Sequence, residues 1–337
     1  MKLTFDQIRS ITRGAAIIRQ NPDGSVCLRR FTDAQKAPYP IHEPAREIAC
    51  EYTANITLDF YTDAPFVIVT TAGRRRKKTS HITLDLLENN VHIQSVSHFF
   101  PVEDSSEVEE YDPKTFHFCL SDGEKRVTIQ LHYTVTADSL TVELPDGASL
   151  RPYAHAKKMI AFGDSITHGS TAIRPCLSYI SRLGRLLDAE VFNYGIGGER
   201  FEDWKIVKGT YPACDFVTVA YGTNDFGHRA SDNAHFSHHM PAFLKAAAEA
   251  FANVPVFVLL PLWCDNEDEP RNDTGVLQNV RDRIAQEAAK YPNMTVIDCQ
   301  DFIPHEPKLF NDLKLHPNND GMEHYAENLF AALKDKI

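Results

Sequence analysis

The pattern of hydrophobic and polar residues changes near residue 153. Before that point, short apolar or alternating segments recur, and Asp-Gly turn triplets at 22–24, 121–123 and 145–147 separate several of them. Short strands at regular spacing with such turns predict an all-β sandwich or jelly roll. The strands that we predict here cover residues 25–31, 54–60, 66–69, 81–86, 91–93, 115–120, 127–132 and 140–144.

After residue 153, short apolar runs alternate with segments of helical periodicity. This alternation predicts a parallel sheet with helices on both faces, and five strands fit a flavodoxin-like, doubly wound sheet. We therefore expect a β-sandwich (jelly-roll-like) accessory domain over residues 1–152 and an α/β domain over residues 153–337. The predicted strands are 159–162, 191–194, 216–220, 256–260 and 295–297, and the predicted helices are 178–187, 242–252, 275–291 and 322–333.

Length and composition agree with two globular domains. The chain has 337 residues, of which 43% are hydrophobic and 24% charged, as is usual for a globular protein. The formal net charge of −11 argues against a nucleic-acid partner, because phosphate contacts need a basic face.

The sequence also indicates a compartment. No apolar run reaches the roughly 18 residues of a membrane span, and the first residues lack the apolar core of a signal peptide. The seven cysteines form no Cys-x-x-Cys pair, which argues for reduced thiols and against a zinc site built on cysteine. We therefore expect a cytoplasmic protein with no membrane partner.

Polar and glycine-rich segments follow the predicted strands of the second domain. In a doubly wound sheet, ligands bind beyond the carboxyl ends of the strands. We therefore expect a hydroxyl, a glycine-rich backbone, a carboxamide and an imidazole to meet at one edge. The segments concerned are 163–165, 195–200, 222–225, 261–265 and, before the last helix, 312–318.

These residue types suit acyl transfer. A serine hydroxyl such as that of Ser165 becomes a good nucleophile only when a base takes its proton, and His316 is the best candidate base. The developing oxyanion needs donors, for which the backbone N–H groups of Ser165 and Gly198 and the amide of Asn224 are suitable. The carboxylate nearest to the base in sequence is Asp312, which could orient the imidazole.

Together, these segments resemble the sequence blocks of the SGNH (GDSL-type) hydrolases, and the resemblance covers residues from about 157 to 337. It implies that Ser165 is the nucleophile and His316 the base. It also implies that Gly198 and Asn224 donate to the oxyanion, in an enzyme without metal or cofactor that hydrolyses esters. Some members of the family act on thioesters or transfer acyl groups. The matching blocks are 163–165, 193–198, 222–225 and 316–318.

One position departs from the family pattern. The family usually places its aspartate three residues before the histidine, where this chain has Leu313, and Asp312 comes one residue earlier. Two alternatives remain open. Either the loop carries an extra residue that lets Asp312 reach the imidazole, or the enzyme works as a Ser–His dyad whose ring is oriented by a backbone carbonyl.

The β-domain in front of this module is similar to that of two-domain bacterial carbohydrate acetylesterases. We therefore expect a serine esterase that removes short acyl groups, acetyl first, from a carbohydrate or related small molecule. An acyltransferase or thioesterase on the same site, or a catalytically silent glycan-binding protein, are the alternatives. Candidate substrate contacts are Asp164, Arg174 and Trp263. The sequence leaves open whether the protein forms a homo-oligomer.

Two clusters of ionisable residues, one of histidines and one of basic residues, do not require a bound metal or an anionic partner. His228, His235, His238 and His239 include a pair at helix spacing, but no carboxylate or cysteine completes a ligand set nearby in sequence. We therefore expect no metal, and a lid or substrate-contact role for residues 227–240. The basic run 74–78 is interpreted as a solvated hairpin tip rather than as a contact for an anionic partner.

Overall fold

The computed structural model describes residues 1–227, 233–271 and 274–337. The chain divides into two compact units. The first unit contains residues 1–156 together with the short segments 174–176 and 190–192, and the second contains the remaining described residues. The boundary that we predict from the sequence, between residues 152 and 153, lies slightly before this division.

Two antiparallel sheets form the first unit, in agreement with the predicted β-sandwich. Its strands are β1 (Thr12–Arg13), β2 (Ile17–Gln20), β3 (Val26–Arg29), β4 (Thr57–Thr62), β5 (Phe66–Arg76), β6 (His81–Glu88), β7 (Val91–Phe99), β8 (Val108–Cys119), β9 (Lys125–Gln130), β10 (Ala137–Glu143) and β11 (Arg151–Pro152). One sheet has the order β1–β4–β9–β6–β7, with β11 beside β4, and the other has the order β2–β3–β10–β5–β8.

The two sheets share one apolar core. Side chains of β5 alternate between buried and less buried along the strand, as expected for a strand with one face on a core. Leu58 and Ile129 of one sheet and Val69 and Phe116 of the other belong to a single buried cluster. This packing fixes the register of the strands, because a slip by one residue would turn each apolar set toward solvent.

Short helices connect some of these strands. Around α1, Thr4 and Gln7 form a reciprocal capping box, in which the Thr4 hydroxyl accepts from the Gln7 N–H and the Gln7 side chain accepts from the Thr4 N–H. The helices are α1 (Phe5–Ile11), α2 (Asp33–Lys36), α3 (Tyr39–His42) and a 3₁₀-helix over Pro44–Glu51.

The basic run does not form a solvated hairpin tip, so that prediction is wrong. Strand β5 continues through Arg76 because it pairs with β8 over most of its length. Arg75 is buried and forms an ion pair with Glu109, while Arg74 pairs with Glu51 and Asp138. The guanidinium groups of Arg74 and Arg75 are therefore neutralised within the unit, and only Lys77 and Lys78 lie in the turn after β5.

A five-stranded parallel sheet forms the centre of the second unit. Its order is β13–β12–β14–β15–β16, which confirms the flavodoxin-like arrangement. Val217 and Val258, on neighbouring strands, are fully buried, as expected for a sheet covered on both faces. The strands are β12 (Lys157–Gly163), β13 (Ala189–Asn193), β14 (Phe216–Ala220), β15 (Val256–Leu259) and β16 (Met294–Ile297).

Helices cover this sheet. Helix α5 packs against α9, with the rings of Tyr179 and Tyr325 stacked at 4.3 Å, and α7 packs against α8. None of the helices in the described ranges has the length and apolar content needed to cross a bilayer. The helices are α4 (Ser165–His168), α5 (Tyr179–Leu186), α6 (Thr223–Gly227), α7 (Asn233–Ala250), α8 (Leu277–Ala288) and α9 (Asn319–Leu333).

The strand order reverses between β12 and β14. In such sheets the crevice beyond the carboxyl ends at the reversal point is where ligands bind. Gly163 ends β12 and Ala220 ends β14, so the segments 163–165 and 222–225 meet at this crevice.

Candidate active site

Ser165 begins a single helical turn directly after β12. The Asp164 carboxylate caps this turn by accepting from the N–H of Ile166 at 3.0 Å. The turn lies very close to the strand, because a Cβ on Gly163 would come within 2.1 Å of the Thr167 hydroxyl oxygen. Glycine at 163 is therefore required for Ser165 to stand at the edge of the sheet.

Ser165, His316 and Asp312 form a continuous chain of hydrogen bonds. Ser165 Oγ lies 3.0 Å from His316 Nε2, and His316 Nδ1 lies 2.7 Å from Asp312 Oδ2. When Nδ1 carries the proton and donates to Asp312, Nε2 presents its lone pair to the serine hydroxyl. This is the arrangement that a serine nucleophile and its base require.

Asp312 is fixed by its own loop. Its Oδ1 accepts from the backbone N–H groups of Lys314, Leu315 and His316 at 3.1, 2.8 and 3.1 Å. Burial raises the pKa of this carboxyl, but the hydrogen bonds from the Leu315 N–H and the His316 ring outweigh it and lower the pKa to about 2. Asp312 is therefore ionised at neutral pH.

The extra residue of this loop is absorbed at Leu313. Leu313 has φ +59°, in the left-handed region that a leucine seldom adopts. The backbone turns there, so a carboxylate four residues before His316 reaches the imidazole. Of the two arrangements that the sequence leaves open, the structure has the one in which Asp312 contacts the ring.

A glycine-rich loop lies beside the serine. Asn193 holds it against α4, since its side chain accepts from the Gly195 N–H at 2.8 Å and donates to the Thr167 carbonyl at 2.8 Å. Gly198 has φ +79°, which glycine adopts without strain. Ser165, Gly198 and Asn224 line one cavity together, so the structure brings the three predicted oxyanion donors together.

The Asn224 amide is held in place by the segment that follows Gly198 and by Asp164. Its Nδ2 donates to the Glu199 carbonyl at 2.9 Å and lies 3.4 Å from Asp164 Oδ2. The buried Glu199 carboxylate accepts from Tyr221 at 3.2 Å and lies 3.3 Å from the Lys205 ammonium. The segment that follows Gly198 therefore sets the orientation of Asn224.

Two buried carboxyls flank this amide. Burial raises the pKa of Asp164 to about 6, against the lowering effect of the Ile166 N–H. Burial likewise raises the pKa of Asp225 to about 7, against the lowering effect of the Phe201 N–H. Asp225 Oδ1 has no hydrogen-bond partner among the described residues. Asp164 caps α4 and is not among the described residues that line the cavity, so its contact with substrate stays a prediction.

The cavity has a volume of about 430 Å³. Apolar atoms come from Phe226, Cys264 and Leu315, and polar ones from Asn266 and Lys314. Cys264 lies in the segment 261–265, and Lys314 and Leu315 lie in the segment 312–318, both of which the sequence predicts at this edge of the sheet. Phe226 and Asn266 come one residue after the predicted segments 222–225 and 261–265, and were not predicted from the sequence.

The remaining predicted contacts lie elsewhere. Trp263 stacks on His305 at 5.0 Å and lies 5.2 Å from Phe310, and it is not among the described residues that line the cavity. Arg174 is exposed and belongs to the first unit, so its contact with substrate stays a prediction. His228 lies outside the described residues, whereas the other three histidines of its cluster lie on α7.

Comparisons with known proteins agree with this geometry. Residues 161–324 match the model of the GDSL-like lipase/acylhydrolase family. No curated protein matches the chain in sequence.

Solved structures share the fold of the whole chain. The salicylyl-acyltransferase SsfX3 from a tetracycline biosynthetic pathway covers 96% of this chain and 94% of its own, with a TM-score of 0.75 and 19% identity. A putative GDSL-like lipase from Bacteroides ovatus has a TM-score of 0.72 and 15% identity, with 99% of this chain and 97% of its own covered. A family two carbohydrate esterase from Cellvibrio japonicus has a TM-score of 0.65 and 15% identity over the same shares. Residues 161–324 therefore carry a domain that matches the GDSL-like lipase/acylhydrolase family, which supports a carboxylic ester hydrolase, and the whole chain shares the fold of these solved structures.

Proposed function

We propose that this protein hydrolyses short-chain acyl esters, acetyl first, of a carbohydrate or related small molecule through an acyl-enzyme. The observation that carries the proposal is the hydrogen-bonded chain of Ser165, His316 and Asp312 on the wall of an open cavity. A catalytically silent glycan-binding protein would not need Ser165 and His316 within hydrogen-bond reach, and the 3.0 Å between them speaks against that alternative.

The geometry supports a two-step reaction. Ser165 Oγ attacks the ester carbonyl while His316 Nε2 takes its proton, and the ionised Asp312 stabilises the resulting imidazolium. The oxyanion is stabilised by the N–H groups of Ser165 and Gly198 and by the Asn224 amide. The imidazolium then protonates the leaving alcohol. His316 next activates water, which attacks the acyl-enzyme and releases the acid.

The cavity supports a substrate larger than the acyl group itself. About 430 Å³ lies within the range of small-molecule sites and leaves room for a sugar ring beside an acetyl group. An acetyl xylan esterase from Butyrivibrio proteoclasticus shares the fold, with a TM-score of 0.56 and 12% identity. A family two carbohydrate esterase from Clostridium thermocellum, solved with cellohexaose, also shares it, with a TM-score of 0.59 and 14% identity. These relatives support, for this chain, an oligosaccharide ester as substrate.

A second candidate is acyl transfer on the same site. The cavity carries an apolar wall of Phe226, Cys264 and Leu315, which suits an aromatic acyl group, and one fold relative is a salicylyl-acyltransferase. Transfer and hydrolysis share the acyl-enzyme and differ only in whether an alcohol or water attacks it.

The proposal further includes a cytoplasmic location, which the seven free thiols support.

The proposal is tested with p-nitrophenyl esters of increasing chain length and with acetylated oligosaccharides. We expect kcat/KM to fall with chain length, and Ser165→Ala to lower it by about 10⁴-fold or more. If Ser165→Ala retains activity, Ser165 is not the nucleophile and the proposal is wrong. Product analysis with an added sugar alcohol separates the two candidates, since a transferase forms a new ester whereas a hydrolase forms only the free acid.

A further inference from the structure

Two histidines of α7 face two carboxylates of the segment that follows Gly198. His235 and His239 lie one helical turn apart, with ring centroids at 4.2 Å. Glu202 Oε1 lies 3.0 Å from His235 Nε2, and Glu202 Oε2 lies 3.7 Å from His239 Nδ1. Asp203 Oδ1 lies 2.9 Å from the same nitrogen of His239. Glu202, His235 and His239 therefore bring three potential ligand atoms together, with Asp203 beside His239.

The hydrogen bonds within this cluster cannot all form at once. His235 Nε2 lies within reach of an acceptor, Glu202, and of a donor, Arg200 Nη2 at 3.3 Å. This nitrogen can donate a proton to Glu202 or accept one from Arg200, but it cannot do both. His239 Nδ1 faces two carboxylates and has only one proton to offer. A cation bound by Glu202, His235 and His239 would satisfy both nitrogens and the Glu202 carboxylate.

The cluster is also largely shielded from water. The Glu202 side chain is only 9% exposed, and those of His235 and His239 are 18% and 23% exposed. A carboxylate so deeply buried needs a strong positive partner. The Arg200 guanidinium lies 3.7 Å from the Glu202 carboxylate, which is too far for a short, strong ion pair.

The distances fit a small divalent ion. Imidazole nitrogens and carboxylate oxygens bind zinc at about 2.0–2.2 Å, so tetrahedral ligand atoms lie about 3.3 Å apart. Within the group of Glu202, His235 and His239, the measured separations of 3.0 and 3.7 Å lie on either side of this value. All ligand atoms of Glu202, His235 and His239 lie within 4.8 Å of one another. Two imidazoles favour zinc-like metals over magnesium or calcium.

We propose that Glu202, His235 and His239 bind one divalent metal ion of the zinc type. The sequence predicts no metal because Glu202 lies 33 residues before the first of these histidines, and only the fold brings them together. Three protein ligands leave the fourth tetrahedral position to water.

The metal would tie the segment after Gly198 to α7. That segment includes the Glu199 carbonyl, which accepts from Asn224, and the Phe201 N–H, which donates to Asp225. Fixing Glu202 therefore fixes the backbone that supports the oxyanion side of the site. The ion would stabilise the site without touching the ester.

The test uses the full chain after treatment with a chelator, titrated with Zn²⁺ by calorimetry and with Co²⁺ by visible absorption. We expect one equivalent of Zn²⁺ to bind, the strong absorption of tetrahedral Co²⁺, and a higher melting temperature with Zn²⁺. His239→Ala and Glu202→Gln should each weaken Zn²⁺ binding by about 100-fold or more, because they remove a ligand.

Two further variants keep the test decisive. Asp203→Asn changes a side chain that is 42% exposed and leaves the three ligands in place, so Zn²⁺ binding and the tetrahedral Co²⁺ spectrum should be retained. His305→Ala is the matched control, since His305 also pairs with a carboxylate four residues away, at 3.0 Å, but has no second histidine with it. Absence of a bound equivalent, or binding that His305→Ala weakens as much as Glu202→Gln, would overturn the proposal.

Discussion

Asp225 is a carboxyl whose ionisation should set the pH dependence of stability in the second unit. It is buried, it accepts only a long bond of 3.4 Å from the Phe201 N–H, and its Oδ1 has no partner among the described residues. Burial raises its pKa to about 7. We predict that Asp225→Asn stabilises the unit at alkaline pH, because asparagine has nearly the same shape and carries no charge to bury.

The magnitude follows from the difference between the folded and unfolded proton affinities. Below pH 3.8, the ordinary value of an aspartate, the carboxyl is protonated in both states. As the pH rises to about 7, the unfolded chain releases the proton while the folded chain retains it. The free energy of unfolding therefore falls by about 1.4 kcal/mol per pH unit and then levels off. The total decrease is at most about 4 kcal/mol.

The two tryptophans, Trp204 and Trp263, both belong to the second unit. Their fluorescence during urea unfolding therefore reports on that unit alone. We expect the wild-type free energy of unfolding to decrease between about pH 4 and pH 7, and that of Asp225→Asn to decrease less. Asp164 adds a decrease of the same sign only up to about pH 6, so the interval from pH 6 to pH 7 separates the two groups.

Asp335→Asn is the control, because this aspartate is exposed in the same unit. It should leave the wild-type profile unchanged. Parallel profiles of wild type and Asp225→Asn between about pH 6 and pH 7 would refute the reasoning, as would a lower stability of Asp225→Asn at about pH 8.

Two further predictions concern the loops around Ser165. Asp312→Asn should lower kcat on p-nitrophenyl acetate by about 10⁴-fold, because the imidazole loses the partner that fixes its tautomer, and an effect below tenfold would favour a working Ser–His dyad. Gly195→Ala should lower the free energy of unfolding by about 1–3 kcal/mol, since its Cβ would lie 2.7 Å from a backbone nitrogen of α4. In Gly197→Ala the new Cβ meets only Ser165 Cβ at 3.8 Å, and urea unfolding should show almost no change.

Buried parallel strands were the easiest elements to predict. The strand predicted over 216–220 has the same bounds in the structure, because a strand covered on both faces is a continuous apolar run. Helix α7, predicted over 242–252, begins at Asn233 and contains Pro241. In its first turns only Phe236 and Met240 are buried apolar residues, and two such positions are too few to show helical periodicity in the sequence.

Side-chain partners that depend on tertiary structure were the hardest to predict. A charged run such as that around Arg75 is usually exposed, and only the pairing of β5 with β8 shows that this arginine is buried. Likewise, the sequence could order Ser165, Asn224 and His316 along strand ends, but it could not decide whether Asp312 reaches the imidazole. That depends on the backbone conformation of Leu313, a residue type that gives no signal for a left-handed turn.

The turn at Leu313 also bears on how this enzyme can change over evolution. Because Leu313 stands between the Asp312 carboxylate and its three backbone donors, a substitution that adopts the same left-handed conformation, such as glycine or asparagine, keeps those donors in place. Leu313 is 59% exposed, and the two residues after it line the cavity. New side chains at this point can therefore alter which alcohol the enzyme accepts while the proton relay stays intact, and a search that fixes the Asp–His spacing will overlook such relatives.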